Sequence, residues 1–115
     1  MSKDDLIRLK HILEATMEAL DFVKGKSRTD FDKNRMLVLS LIKEIEIMGE
    51  AASKISNGVK EKYPHIPWGD ITGMRNYLIH AYFDIDFDMV WKTVTEDLPP
   101  LAAEIEKVLS REDKR

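Results

Sequence analysis

Residues 30–56 read DFDKNRMLVLSLIKEIEIMGEAASKIS, and this stretch decides the fold. Met36, Leu37, Val38, Leu39, Leu41, Ile42, Ile45, Ile47, Met48 and Ile55 recur with three- and four-residue spacings, and no proline interrupts them. That period predicts one helix over 30–56. Its apolar residues spread wider than a single stripe, so more than one side of the helix must be covered. In a chain of 115 residues the breadth of that surface points to a second copy of the chain. A central bundle helix packed by its own neighbours is the alternative. Gly49, Ala51, Ala52 and Ser53 form a small-residue patch where another helix can approach closely.

On the N-terminal side, Leu6, Leu9, Leu13, Met17, Leu20 and Val23 keep helical spacing. Asp4 or Asp5 is the expected cap, and Gly25 with Lys24 before it the expected end. Ser27 to Asp30 reads as a polar connector with capping residues. On the C-terminal side, Asn57-Gly58 is expected to break the helix, and Pro64 and Pro67 to bracket a loop. Trp68 to about Ile79 reads as a third main helix. Asp86 is the expected N-cap of a fourth that begins with Met89, Val90, Trp91 and Val94. Pro99-Pro100 must kink or interrupt that helix, because each proline lacks a donor and clashes with the preceding turn. Leu101, Ile105, Val108 and Leu109 then resume it. No segment alternates with period two. The expected architecture is one all-α domain over 1–115, an up-down bundle of four to five helices.

Composition narrows the function classes. The chain is 43% hydrophobic and 34% charged, which suits a soluble globular domain and argues against disorder. It has no cysteine, hence no disulfide framework and no thiolate chemistry. The charged N-terminus shows no secretory pattern, and the longest near-continuous apolar stretch, residues 36–42, is too short to span a bilayer, so a cytoplasmic protein is expected. A net charge of −3 argues against broad nonspecific binding to nucleic acid. The charge is uneven, however. Residues 54–80 carry Lys54, Lys60, Lys62 and Arg75 against Glu61 and Asp70, whereas residues 84–106 carry seven acids against Lys92. The three lysines could line an approach for RNA, although a solvated charged face explains them as well.

The chemistry-bearing residues are few. His11, His65 and His80 form no Glu-x-x-His pairs of the kind a bundle metal site uses, so no metal or other cofactor is expected. No phosphate-binding glycine loop or serine nucleophile signature occurs. The stretch MRNYLIHAYFDID (74–86) remains, with Arg75, His80 and Tyr82 in an apolar run. Five helical positions rotate by about 140°, so Arg75 and His80 cannot share a face of a regular helix. They converge only at a frayed helix end or across an interface. A surface arginine, a satisfied histidine and a core tyrosine would be the plain structural explanation. The chemical one is metal-free RNA cleavage, in which a ribose 2′-hydroxyl attacks the adjacent phosphate. Histidine serves as acid or base near neutral pH. Arginine grips phosphate in a fork. One chain supplies one such histidine, and a two-fold dimer would bring two histidines and two arginines into one cleft.

These residues carry a family resemblance. RLKHILEA (8–15), GKS (25–27), IMGEAA (47–52), KYPHIPW (62–68), GMRNYLIHAYF (73–83) and VWKTVTEDLP (90–99) resemble the HepT-like toxins of the HEPN superfamily, in order and over nearly the whole chain. The Arg-Asn-x-x-x-His-x-Tyr pattern is filled by Arg75, Asn76, His80 and Tyr82. The resemblance implies a HEPN-like helical fold and a homodimer with a ribonuclease site, Arg75 and His80, in the cleft between subunits. It implies a partner antitoxin, a minimal nucleotidyltransferase of the MntA type, that silences the toxin by transferring AMP onto Tyr82. Such a phosphodiester beside Arg75 would occupy the cation that RNA phosphate needs. Asn76 would position phosphate or hold the histidine, unless it is a plain surface residue. The acidic run 84–97 could face a basic antitoxin surface. Two other functions stay open: a non-catalytic HEPN module that binds RNA, nucleotide or a partner protein, and a dimeric scaffold.

Overall fold

The computed structural model of the protein describes residues 1–81 and 83–113. The elements run α1 (Lys3–Val23), α2 (Arg28–Lys33), α3 (Arg35–Ser53), α4 (Asn57–Lys62), α5 (Trp68–His80), α6 (Phe87–Lys92), a π-helical turn (Thr93–Asp97) and α7 (Leu98–Glu112). Every regular element among the described residues is helical, so the chain is all-α, and the four long helices α1, α3, α5 and α7 make the bundle.

The local starts and stops differ from expectation in instructive ways. Ser2, not Asp4 or Asp5, caps α1: its hydroxyl accepts from the Asp5 amide at 3.1 Å. That leaves the Asp5 carboxylate to reach across the bundle. It accepts from the Ser56 amide at 3.0 Å and from the Ser56 hydroxyl at 2.7 Å. Ser56 in turn caps α4, so Asn57-Gly58 opens a short helix instead of only ending one. The expected helix over 30–56 is divided at Asn34. This residue adopts an extended backbone (φ −116°, ψ 93°), and its side chain accepts from the Leu37 amide at 3.1 Å. Asparagine favours this local bond over the helical ladder. The connector before it is a capping box, with Ser27 and Asp30 satisfying each other's amides.

The proline pair shifts the helical register without breaking the chain's course. Pro99 and Pro100 lie in the first turn of α7, and the preceding turn widens so that the Leu98 amide bonds back to the Thr93 carbonyl. A wider turn relieves the clash of the proline rings with the carbonyls behind them.

The breadth of apolar surface on α3 is mostly absorbed within the chain. α3 lies between α1 and α5, and Val38, Leu41, Ile45, Met48 and Ala52 are buried with Leu9, Ile12, Ala15 and Ala19 of α1. Ile71 and Leu78 of α5, with Leu101, Ile105 and Val108 of α7, complete the same core. Fully burying each large aliphatic side chain contributes about 1.5–3 kcal/mol. Phe31 anchors α2 against Phe87 and Trp91, with ring centroids 5.6 and 5.3 Å away. Several large apolar side chains stay uncovered. Met36, Leu39 and Ile47 on α3, Ile7 on α1 and Ile79 on α5 remain exposed, Met36 at 80%.

Candidate active site

α5 carries the motif, and its ends are pinned. The Trp68 indole donates to the Tyr63 carbonyl at 3.0 Å, which fixes the start. Beyond the helix, the Asp86 amide donates to the Tyr77 hydroxyl at 2.9 Å, folding the acidic segment back onto α5. Asp86 caps α6 as expected, accepting from the Met89 amide at 3.2 Å.

The position of Arg75 is set by a helix crossing. A Cβ placed on Gly49 of α3 would stand 2.2 Å from the Arg75 Cβ and 3.1 Å from the Ile71 carbonyl oxygen. Only glycine lets α5 lie this close. From that crossing the Arg75 side chain runs along α3, where Nη2 meets Glu50 Oε2 at 2.7 Å. Nη1 donates to Asn76 Oδ1 at 3.3 Å. The other oxygen of Glu50 meets Lys54 Nζ at 3.1 Å. The hydrogen bond from Lys54 and then the charge of Arg75 hold the Glu50 carboxyl below its ordinary value. Glu50 is therefore an anion at neutral pH.

Arg75 lines a groove of about 510 Å³ between α1, α3 and α5. Arg8, Lys43, Lys54 and His11 share its walls with Asp4, Glu46 and Glu50, and Ile7, Ile47 and Ile79 supply the apolar part. His80 does not line this groove; it is the exposed last residue of α5. The structure thus brings Asn76 to Arg75 but leaves His80 on another face, as five helical positions require. Tyr82 lies outside the described residues. Of the lysines, Lys54 lines the groove, whereas Lys62 does not and pairs with Glu112 at 2.6 Å. His65 pairs with Glu104 at 3.0 Å. Among the described residues no group of three or more His, Asp or Glu side chains could hold a metal ion.

Sequence reasoning missed Glu50 and the groove position of His11. Glu50 stands in IMGEAA beside the small-residue patch, and nothing in the spacing links it to Arg75. The spacing of His11 bears only on metal ligation and gives no sign of the groove.

The family model described as "Ribonuclease HepT-like" matches residues 12–108, which include Arg75, His80 and the α3 and α5 walls of the groove. The chain belongs to the HepT-like ribonuclease family. Its relatives agree. A Methanocaldococcus jannaschii protein named "Putative RNase" is 41% identical over 109 residues, covering 94% of this chain and all of the relative. A second protein of that organism, named "Gamma-glutamylcyclotransferase and putative RNase", is 40% identical over 114 residues; the match covers 99% of this chain but 51% of the longer relative. A Thermococcus cleftensis protein named "Probable ribonuclease HepT" is 39% identical over 103 residues, 86% of this chain and 94% of its own. No solved structure matches the chain. A fixed guanidinium sits in a groove, with the motif histidine at the exposed end of the same helix.

Proposed function

We propose that this HepT-like protein is the toxin of a toxin–antitoxin pair, a metal-independent endoribonuclease whose site forms in the cleft of a homodimer. The observation that carries the proposal is the split of the motif. Arg75 points into the α1–α3–α5 groove while His80 stands exposed on another face of α5. Such faces converge when a second copy packs across a two-fold axis. The uncovered Ile7, Met36, Leu39, Ile47 and Ile79 supply an apolar surface for that packing.

In such a cleft the chemistry balances without a cofactor. His80 of one subunit takes the proton of the ribose 2′-hydroxyl as its oxygen attacks phosphorus. The second His80 returns a proton to the departing 5′-oxygen, and Arg75 stabilises the charge on the non-bridging oxygens. The products are a 2′,3′-cyclic phosphate and a 5′-hydroxyl. Asn76, which accepts from Arg75, helps to hold the guanidinium or the phosphate.

Transfer of AMP from ATP to the Tyr82 hydroxyl by a minimal nucleotidyltransferase antitoxin, with release of pyrophosphate, would silence the enzyme. The added phosphodiester anion would compete with RNA for the cations of the cleft. No described helix is long and apolar enough to cross a membrane, which suits action on cytoplasmic RNA. Expression without antitoxin tests the proposal. Wild type should arrest growth and fragment RNA, while folded Arg75→Ala and His80→Ala should do neither. Equal growth and equal RNA integrity for all three would overturn it.

A further inference from the structure

The Arg75 guanidinium is held by an anion that RNA would rather not meet. Glu50 Oε2 lies 2.7 Å from Nη2, and the carboxylate is itself anchored by Lys54 one helical turn on, at 3.1 Å. The stem of the arginine is fixed as well, by the Gly49 crossing that lets its Cβ lie against α3. Asn76 takes Nη1 at 3.3 Å. Two of the three guanidinium nitrogens are thus engaged, on opposite sides of the fork. The side chain is nevertheless 30% exposed, so its remaining N–H donors are open to the groove.

From this geometry we propose that Glu50 is a positioning residue for the ribonuclease reaction proposed above. It fixes the orientation of Arg75 at the cost of weaker RNA binding. The two effects have opposite signs and are separable. A carboxylate beside the phosphate-binding cation repels the RNA backbone, so it opposes ground-state binding. An arginine held in one orientation presents its free donors where charge develops, which lowers the barrier to reaction without reorganisation. Lys54 serves the arrangement twice: it orients the carboxylate and offsets part of its charge. The RNA backbone is repelled through solvent at longer range, so salt screens that part more than it screens the direct contacts of Glu50 at 2.7 and 3.1 Å.

Glu50→Gln tests this in the intact protein, because it keeps the shape of the side chain while removing the charge that pairs with Arg75 and Lys54. The Glu50 side chain is 46% exposed, so the variant should fold and melt close to wild type. KM for an oligoribonucleotide should fall about two- to fivefold, in line with the modest energy of an exposed charge. kcat should fall about tenfold or more, as for other misplaced catalytic groups. Raising the salt should narrow the KM difference and leave the kcat difference. A purely structural role would not give tighter binding together with slower turnover. An unchanged kcat, or a KM that rises, overturns the proposal.

A second measurement does not depend on activity. Nitrogen-15 NMR of the Arg75 guanidinium should show slower rotation in wild type than in Glu50→Gln. Equal rotation in both overturns the proposal. A wild-type protein that cuts no RNA overturns instead the ribonuclease function on which it rests, and is recognised as such because the comparison then fails before any variant is measured.

Discussion

Gly49→Ala gives the sharpest test of how the site is built. The added Cβ would stand 2.2 Å from the Arg75 Cβ, 2.9 Å from its Cγ and 3.1 Å from the Ile71 carbonyl oxygen. Carbon atoms in good contact lie about 3.5–4.0 Å apart, so α5 must retreat from α3 by more than an ångström at the crossing. The obstructing atoms are a stem carbon and a carbonyl, not the far end of a flexible side chain. Overpacking of this kind costs about 1–3 kcal/mol, and the rigid contact puts it at the upper end. Alanine returns about 0.5–1 kcal/mol through its better helix propensity. The net loss is about 2 kcal/mol, or about 6–10 °C in Tm for a chain of this length. Gly73→Ala is the matched control. It lies in α5, is exposed and would meet nothing within 4 Å, so it should raise Tm by about 2–4 °C through propensity alone. Circular-dichroism melts of the two variants beside wild type decide the matter. If Gly49→Ala melts with or above wild type, as Gly73→Ala should, the close crossing is not what positions Arg75.

Other outcomes follow from groups away from the groove. Burial first, then the hydrogen bond and charge of Glu18 and the charge of Glu14, push the Glu44 carboxyl up to about 7. Its folded value exceeds its unfolded one, so its contribution is fully present below about 4.5 and is lost as pH rises towards 7. Glu44→Gln should therefore leave urea stability unchanged at pH 4 and raise it by about 2 kcal/mol at pH 8; no gain at pH 8 would contradict the raised Glu44 carboxyl. Asp5 behaves oppositely. Its burial favours the protonated form, but the Ser56 hydroxyl and amide, Ser2 and Arg8 hold the carboxyl below its ordinary value. Its contribution is present above that value and disappears as pH falls through the lowered one. Asp5→Ala should cost about 1–3 kcal/mol at pH 7 and much less at pH 3, because Ser56 loses both partners. A loss that is the same at both pH values would show that packing, not the anion, matters there. Co-expression with a minimal nucleotidyltransferase should add the mass of one AMP to wild type and nothing to Tyr82→Phe; an adduct on Tyr82→Phe would place the modification elsewhere.

Much of this was legible from residue order. The all-α class followed from the apolar period of 30–56 and the absence of alternation, and Trp68 to Ile79 proved one residue short of α5. The break at Asn34 is hidden in the sequence because its side-chain cap competes with a helical ladder that the surrounding leucines favour. The role of Asp5 is hidden because Ser2 caps α1 locally and Ser56, the partner of Asp5, is distant in the chain. The motif showed the mismatch of faces between Arg75 and His80, which the structure keeps. It could not show Glu50. An ion pair between two helices depends on the depth of their crossing, and that depth is set by a single missing Cβ at Gly49.

Cleavage of a defined RNA by the purified protein in excess EDTA bears most directly on the central claim. Wild type should yield fragments ending in 2′,3′-cyclic phosphate, and folded Arg75→Ala or His80→Ala should leave the RNA intact. RNA left whole by wild type, or cut equally by both variants, would contradict a ribonuclease site built from Arg75 and His80.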